Sequence, residues 1–391
     1  ATAAYMRLSP SDRRHGRIRY NCPRTARAWP SQRDFAAFRN LSVMAFADVL
    51  RDDGAVFGPW RGESLPLHFG DWHAEYAALD RVPCVVDPGC RTQIEVLGPD
   101  RVAFVHRMCS NHVAACQPDS GCEAFFLDAK GHVLAYVRIF VGPDNLLMET
   151  APGQSEAVIS HLSKYVVREK VEFQDRSRLW HPLQVAGREA GDLLARLLGG
   201  KVPERPLAHT VGRFEGLEVR VACLRAGSRP CWQLATPQEA AERLWSSIRR
   251  QGAKPCGSLA AEAVRIECGE PEYGVDITPE NLPQEVGRDD AAISTTKGCY
   301  LGQEVVARID SRGHVNRRLV GLLLSTQEVP RLPVELYVDG QLAGHMTSVS
   351  FSPGLGVTVG LGYVRRGYWQ PGQRLECSWG PVEVAGLPLR P

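Results

Sequence analysis

The sequence contains no run of about eighteen uncharged apolar residues, which excludes an ordinary membrane-spanning helix. It contains no Cys-x-x-Cys pair among its 12 cysteines, which removes the usual zinc and thioredoxin motifs, and no metal site is expected. The apolar core of a secretory signal is also missing. The cysteines are therefore expected as reduced thiols in a bacterial-type cytoplasmic protein, most of them small core residues, with organellar import the weaker alternative. Net charge is only +2 over 391 residues, so the chain as a whole is not a polycation and no specific nucleic-acid partner is expected.

That charge is unevenly placed. The first forty residues carry nine arginines against two aspartates, a local +7 that leaves −5 for the remainder. This stretch has few apolar residues and no periodicity until Phe35. A disordered basic arm over 1–45 is expected, with a cleaved targeting peptide or upstream sequence as alternatives. Apolar residues at 44% and charged residues at 23% suit a soluble globular protein, and the length suits two or three domains.

Regular patterning begins near residue 90. Thr92–Gly98 alternates as a strand, and after Pro99 the spacing of Val102, Val105 and Met108 predicts a helix. Cys122–Asp128 and His132–Val141 predict a hairpin across Asp128-Ala129-Lys130-Gly131. A strand at Asn145–Thr150, a helix over Ser155–Val167 and a strand at Val171–Gln174 complete a β-α-β-β-β-α-β order, close to a split βαβ, ferredoxin-like unit. A similar order returns from Leu183. Within it Thr236–Arg250 predicts a helix capped by Thr236, with Pro237 at its first position and Glu239 closing a capping box. Ser258–Cys268 predicts another helix, with Ser258 as N-cap and Gly269 as terminator. After Asn316 helical periodicity stops and short apolar runs alternate with Gly- and Pro-rich turns, which predicts a small β-barrel. The expected fold class is α+β: 1–45 arm, 46–180 and 181–315 as two α+β domains, and 316–391 as the barrel.

Two segments carry chemistry. In Lys297-Gly298-Cys299-Tyr300-Leu301-Gly302-Gln303-Glu304, two glycines flank a cysteine ahead of a helix-like stretch, Leu301–Ile309. Lys297 and a helix start both favour a thiolate, which makes Cys299 the candidate reactive thiol; a structural cysteine in a tight turn is the competing reading. In Val264-Arg265-Ile266-Glu267-Cys268-Gly269, Glu267 falls in the last turn of its helix, where the macrodipole disfavours a negative charge. It must find donors elsewhere. A pterin could supply a ring N–H and an amine to it together, while a solvated Glu or an ion pair with Arg265 are the ordinary alternatives.

Lys297–Glu304, followed by Val305-Val306-Ala307-Arg308 and Asn316-Arg317-Arg318-Leu319, resembles the signature of the YgfZ branch of the glycine-cleavage T-protein superfamily. Val264–Gly287 resembles that family's pterin helix and the acidic, proline-rich loop after it, and His68–Val113 resembles its opening unit. The resemblance covers roughly 46 to 385 and implies a cloverleaf of two α+β domains and a β-barrel around a folate-binding hole. It implies tetrahydrofolate or another reduced folate as ligand, with Glu267, Asn111, Tyr300 and Arg308 as folate-side residues. Cys299 and Lys297 become the working pair, and iron–sulfur enzymes or assembly factors the clients.

The sequence departs from the T-protein pattern where that family places two acids in the second strand of the first hairpin. Ala135 and Tyr136 stand there, which argues against aminomethyl transfer. The family's asparagine in the next strand aligns with Thr150, and His112 follows Asn111 in place of an aspartate. Three functions remain: an accessory factor for iron–sulfur cluster assembly or repair, a folate-dependent one-carbon transferase, and a folate-binding module with an inert cysteine.

Overall fold

The computed structural model describes residues 46–225 and 229–390. The expected arm over 1–45 lies outside the described residues. Helix α1 (46–52) leads into a hairpin of β1 (Val56–Trp60) and β2 (Glu63–His68), then helix α2 (Trp72–Leu79) and strand β3 (Cys84–Val86). There follow β4 (Thr92–Leu97), α3 (Arg101–Met108), β5 (Ser120–Leu127), β6 (Val133–Val141), β7 (Leu146–Thr150), α4 (Ser155–Ser163) and β8 (Glu172–Asp175). The same order returns as β9 (Trp180–Ala186), α5 (Ala190–Leu198), β10 (His209–Phe214), β11 (Leu217–Arg225), β12 (Cys231–Pro237), α6 (Ala241–Arg250) and β13 (Lys254–Cys256). Helices α7 (Ser258–Glu267), α8 (Asp289–Ala292) and α9 (Gln303–Arg312) precede the closing strands β14 (Arg317–Leu324), β15 (Val334–Val338), β16 (Gln341–Ser352), β17 (Val357–Arg365), β18 (Arg374–Cys377) and β19 (Gly380–Ala385).

The two β-α-β-β-β-α-β units build equivalent sheets. The first is ordered β5-β6-β7-β4-β8 and the second β10-β11-β12-β9-β3-β13. Position by position they correspond, with β3 inserted between the fourth strand, β9, and the last. β3 runs antiparallel to β9 and parallel to β13. One strand crosses the boundary expected at residue 180: β3, far earlier in the chain, is a strand of the later sheet. A three-residue strand, Cys84-Val85-Val86, gives too short a pattern to be assigned from sequence.

Each sheet is covered by helices on one face. Phe104, Val105 and Met108 of α3 and Leu162 of α4 bury against Ile94, Ile139 and Met148. Leu50 of α1, Leu193 and Leu194 of α5, and Trp245 and Ile248 of α6 bury against Val85, Leu183 and Leu234. The opposite faces meet partway, where Phe140 and Leu147 pack with Leu207 and Ala222. The barrel closes in the order β14-β17-β16-β15-β18-β19 around its own apolar core. Ile266 of α7 packs on its outer wall against Leu361 and Tyr363.

Two expected helix starts move. Thr236 and Pro237 pair with His181 and Trp180 as the end of β12, so α6 begins only at Ala241 and the capping box does not form. The Thr236 hydroxyl is buried without a hydrogen-bond partner. α7 takes Gly257 as N-cap, because Ser258 donates its hydroxyl to the Pro66 carbonyl of β2. Gly269 does end α7, in the left-handed conformation at φ +68°. No helix of the described residues is long and apolar enough to cross a membrane.

Candidate functional site

Where the facing sheets part, a cavity of roughly 150 Å³ opens to solvent. Its walls come from the β1–β2 turn, the end of β3, strands β6, β7, β9, β11 and β12, helix α7 and the loop Glu270–Tyr273. The lining is polar and nearly balanced in charge, with Arg61, Arg91, Arg138, Arg225 and Arg265 against Glu63, Asp87, Glu149, Glu262, Glu270 and Glu272.

Most of these charges are paired. Arg265 forks onto Glu262 at 2.8 and 2.9 Å and reaches Asp276 at 2.7 Å. Arg61 joins Glu262 at 2.6 Å and also pairs with Glu272, which Arg91 meets at 2.7 Å. Burial would raise the Glu262 carboxyl, but Arg265 and Arg61 hold it below its ordinary value; Arg91 and Arg61 do the same for Glu272. Glu270 lies 3.0 Å from Arg225. Asp87 accepts from the Gly89 N–H and lies 2.9 Å from Nε2 of buried His181. Glu149 is 2% exposed and accepts from the Gln233 amide through Oε2. Its Oε1 has no hydrogen-bond partner, with Arg138 at 3.5 Å only as an ion pair.

On the hairpin strand β6, Tyr136 and Arg138 line the cavity. Tyr136 donates to Glu123 at 2.5 Å, and Glu123 also accepts from Arg288 at 2.6 and 3.0 Å. Burial, reinforced by Glu123, pushes the phenol pKa far up, so it is a fixed donor rather than an acid–base group. Ala135 points into the apolar core. On β7 the strand alternation turns Glu149 to the cavity, while Thr150 is buried and donates to the Tyr136 carbonyl. In this strand it is Glu149 that faces the cavity, while Thr150, aligned with the family's asparagine, is turned from it.

Glu267 is not in the cavity. It is fully buried, accepting from Tyr76 at 2.7 Å, from Arg229 at 2.5 Å and from the Ser352 hydroxyl of β16. Its backbone carbonyl accepts the Leu389 N–H at 2.7 Å. The donors it needed are protein groups that fasten α7 to the barrel and to the chain's last residues. The geometry of the helix explains the difference. At about 100° per residue, Glu262 and Arg265 fall on one side and Glu267 well round from both. The sequence alternative of a pair with Arg265 is also not realised.

The Lys297–Gly302 loop lies outside the cavity as well. Cys299 is exposed, three residues before Gly302, the N-cap of α9. Lys297 turns away from solvent. Its ammonium donates to carbonyls at the C-terminal end of α3, those of His106, Cys109 (2.6 Å) and Asn111 (3.0 Å), and sits 4.9 Å from the Tyr300 ring centre. A cation belongs there electrostatically, since helix carbonyls at that end are unpaired. Tyr300 is 8% exposed among Phe125, Leu127 and Val306, its phenol pushed up to about 12 by burial. Asn111 clamps the Glu123 and Ala291 carbonyls at 2.8 Å each. Arg308 is exposed on α9, away from the cavity lining. Gly302, at φ +82°, has no room for a Cβ beside the Asp128 carbonyl and Leu127, whereas Gly298 stands in open space.

None of the four residues expected on the folate side therefore lines the cavity. Of the residues that do, Tyr136 was noted in the sequence, whereas Arg138 and Glu149 were missed although a signal existed. Tyr136 and Arg138 alternate with Val137, and Glu149 interrupts Leu-Leu-Met. Polar side chains inside otherwise apolar strands mark a face that is not core.

Comparison with known proteins agrees with the architecture. Residues 46–296 match the GCVT N-terminal domain, and residues 317–387 the glycine cleavage T-protein C-terminal barrel domain. The chain is 27% identical over 291 residues to a protein of Arabidopsis thaliana named "Putative transferase At1g60990, chloroplastic", covering 74% of this chain and 67% of that one. It is 24% identical over 342 residues to the aminomethyltransferase of a Synechocystis strain, covering 85% and 88%. The crystal structure of the glycine cleavage system aminomethyltransferase T from Bartonella henselae shares the fold at a TM-score of 0.78 and 20% identity, covering 88% of this chain and 96% of that one. With its repeated α+β units and closed six-stranded barrel, the chain belongs to the glycine-cleavage T-protein family.

Proposed function

We propose that the central cavity holds a reduced folate, that the aminomethyl transfer of T-proteins is not performed, and that the exposed thiol of Cys299 serves iron–sulfur enzymes or their assembly factors. The observation that carries the reading is Tyr136. At the place where an acid would face the ligand there is a phenol already committed to Glu123, with Ala135 buried beside it. Neither can take or give a proton near neutral pH.

The wall suits the two ends of a folate. A pterin presents a ring N–H and an amine, and Glu149 offers a buried carboxylate oxygen with no donor of its own. A glutamate tail presents carboxylates, and Arg138 and Arg225 line the same cavity. The iron–sulfur role rests on the likeness of Lys297–Glu304 to the YgfZ signature and on the accessibility of Cys299. Calorimetry with tetrahydrofolate should give saturable binding, while the protein supplied with the other glycine-cleavage components should show no turnover. In cells lacking the protein, [4Fe–4S] enzyme activity should fall and return with wild type but not with Cys299→Ser.

One observation favours a second reading, a folate-dependent transferase. Asp87 lines the cavity and is coupled to His181 at 2.9 Å, a carboxylate–imidazole pair able to move a proton. Glycine-cleavage turnover abolished by Asp87→Asn would replace the first reading with this one.

A further inference from the structure

Where the chain runs from α8 into the Lys297–Gly302 loop, a second pocket of roughly 490 Å³ opens to solvent. It shares no lining residue with the central cavity, and neither reading above uses it. Its carboxylates come from two helices. Asp289 and Asp290 open α8, and Asp310 stands in the last turn of α9. The helix dipole disfavours a negative charge at that end, so helix stability does not account for Asp310. None of the lining residues is basic. Arg318, outside the lining, lies 3.7 Å from Asp289, yet burial, reinforced by Asp290 and Asp310, pushes the Asp289 carboxyl up.

The other polar side chains turn acceptors to the pocket. Gln284, in the short turn Pro283–Glu285, is 9% exposed. Its amide nitrogen donates to the Val306 carbonyl at 2.9 Å, and its amide oxygen is buried without a hydrogen-bond partner. Asn111 gives its amide hydrogens to the Glu123 and Ala291 carbonyls and has none left for the pocket. The hydroxyls of Ser294 and Thr296, 3.5 Å apart, can accept as well. A buried oxygen without a donor calls for an occupant, and this occupant has to donate hydrogen bonds and carry positive charge.

A single metal ion does not meet that description. Among the described residues no three carboxylate, thiol or imidazole groups come close enough together to hold one. The aspartates stand apart, so the positive charge has to be spread along the ligand. We infer that this pocket binds an aliphatic polyamine, with one ammonium on the Gln284 oxygen and the others on the aspartates. A terminal ammonium has three N–H donors and no acceptor, the complement of a wall that offers acceptors only. The site is independent of the folate and of Cys299.

The test titrates spermidine into the full chain by calorimetry and follows amide hydrogen exchange on binding. Saturable binding at one site per chain is expected, with exchange slowed across 284–296 and 303–312. Asp310→Asn, at an exposed position, and Gln284→Met should each weaken binding about tenfold, the scale of one hydrogen bond to a charged group. Thermal midpoints establish that the variants are folded, and if Gln284→Met is not, Asp310→Asn decides. An acetylated lysine tripeptide amide of the same charge as spermidine, and magnesium chloride, are titrated alongside. Weaker binding of both than of spermidine supports a polyamine site. The inference is overturned by no saturable binding, by wild-type affinity in either folded variant, by tighter binding of the lysine peptide, which would mark a protein-docking site, or by equally tight binding of magnesium.

Discussion

Two clusters of buried charge, one around Glu267 at the end of α7 and one around Glu149 of β7 on the cavity wall, differ in one respect. Around Glu267 every oxygen is satisfied, by Tyr76, Arg229 and Ser352, and the group is sealed between helix and barrel. On the cavity wall, Glu149 keeps one oxygen without a donor while its neighbours are paired. A closed network reads as a fastener, because burying a charge is tolerable only when it is fully paired. An open one on a cavity wall reads as half of a contact that a ligand completes. On the proposed function, the comparison separates structural carboxylates from ligand-facing ones where the motif alone does not.

The most disruptive way to probe it is acid. Glu262, Glu270 and Glu272 all have folded values held below the ordinary 4.5, against the raising effect of burial, by neighbouring arginines. Their contribution to stability is complete above that value and is lost as pH falls below it through the lowered folded values, at about 1.4 kcal/mol per unit of lowering for each group. Urea midpoints should be flat from neutral pH to the upper fours and drop steeply below. A flat profile to much lower pH would mean the cavity network adds nothing.

Next in size is Glu267→Ala, which strips Arg229 of one buried partner while Asp80 at 2.7 Å remains. A loss of about 3 kcal/mol in unfolding free energy is expected, with folate affinity of the folded protein unchanged. A stable variant that binds folate weakly would reverse the assignment of the two clusters. Glu149→Gln should do the opposite, costing about 2 kcal/mol in tetrahydrofolate affinity by calorimetry and little in stability. Equal affinity in that variant would remove Glu149 from the ligand's surroundings.

Smaller effects are expected in the loop. Lys297→Met leaves carbonyls at the end of α3 without their donor and should lower stability by about 1.5 kcal/mol, read from the thermal midpoint. Cys299→Ser, at an exposed position, should change stability by less than about 0.5 kcal/mol. The two substitutions contrast a structural lysine with an accessible thiol inside one motif. Similar losses from both would show that Cys299 is packed after all.

The sequence by itself determined the repeated unit, the hairpin across Asp128–Gly131, the closing barrel and the unusual character of Lys297–Glu304. These rest on local signals: alternation, helical spacing and turn residues whose backbone demands are met within a few positions, as Asp128 meets them for the Lys130 and His132 N–H groups. It also located Glu267 as a carboxylate needing remote donors. Only tertiary structure decided which donors. Tyr76, Arg229 and Ser352 are separated from Glu267 by tens to hundreds of residues, and no local pattern brings them together. The same holds for β3, whose place in the later sheet depends on pairing with β9 and β13. It holds too for the direction of the Lys297 side chain, which burial and the carbonyls of α3 turned inward while its neighbour Cys299 stayed in solvent.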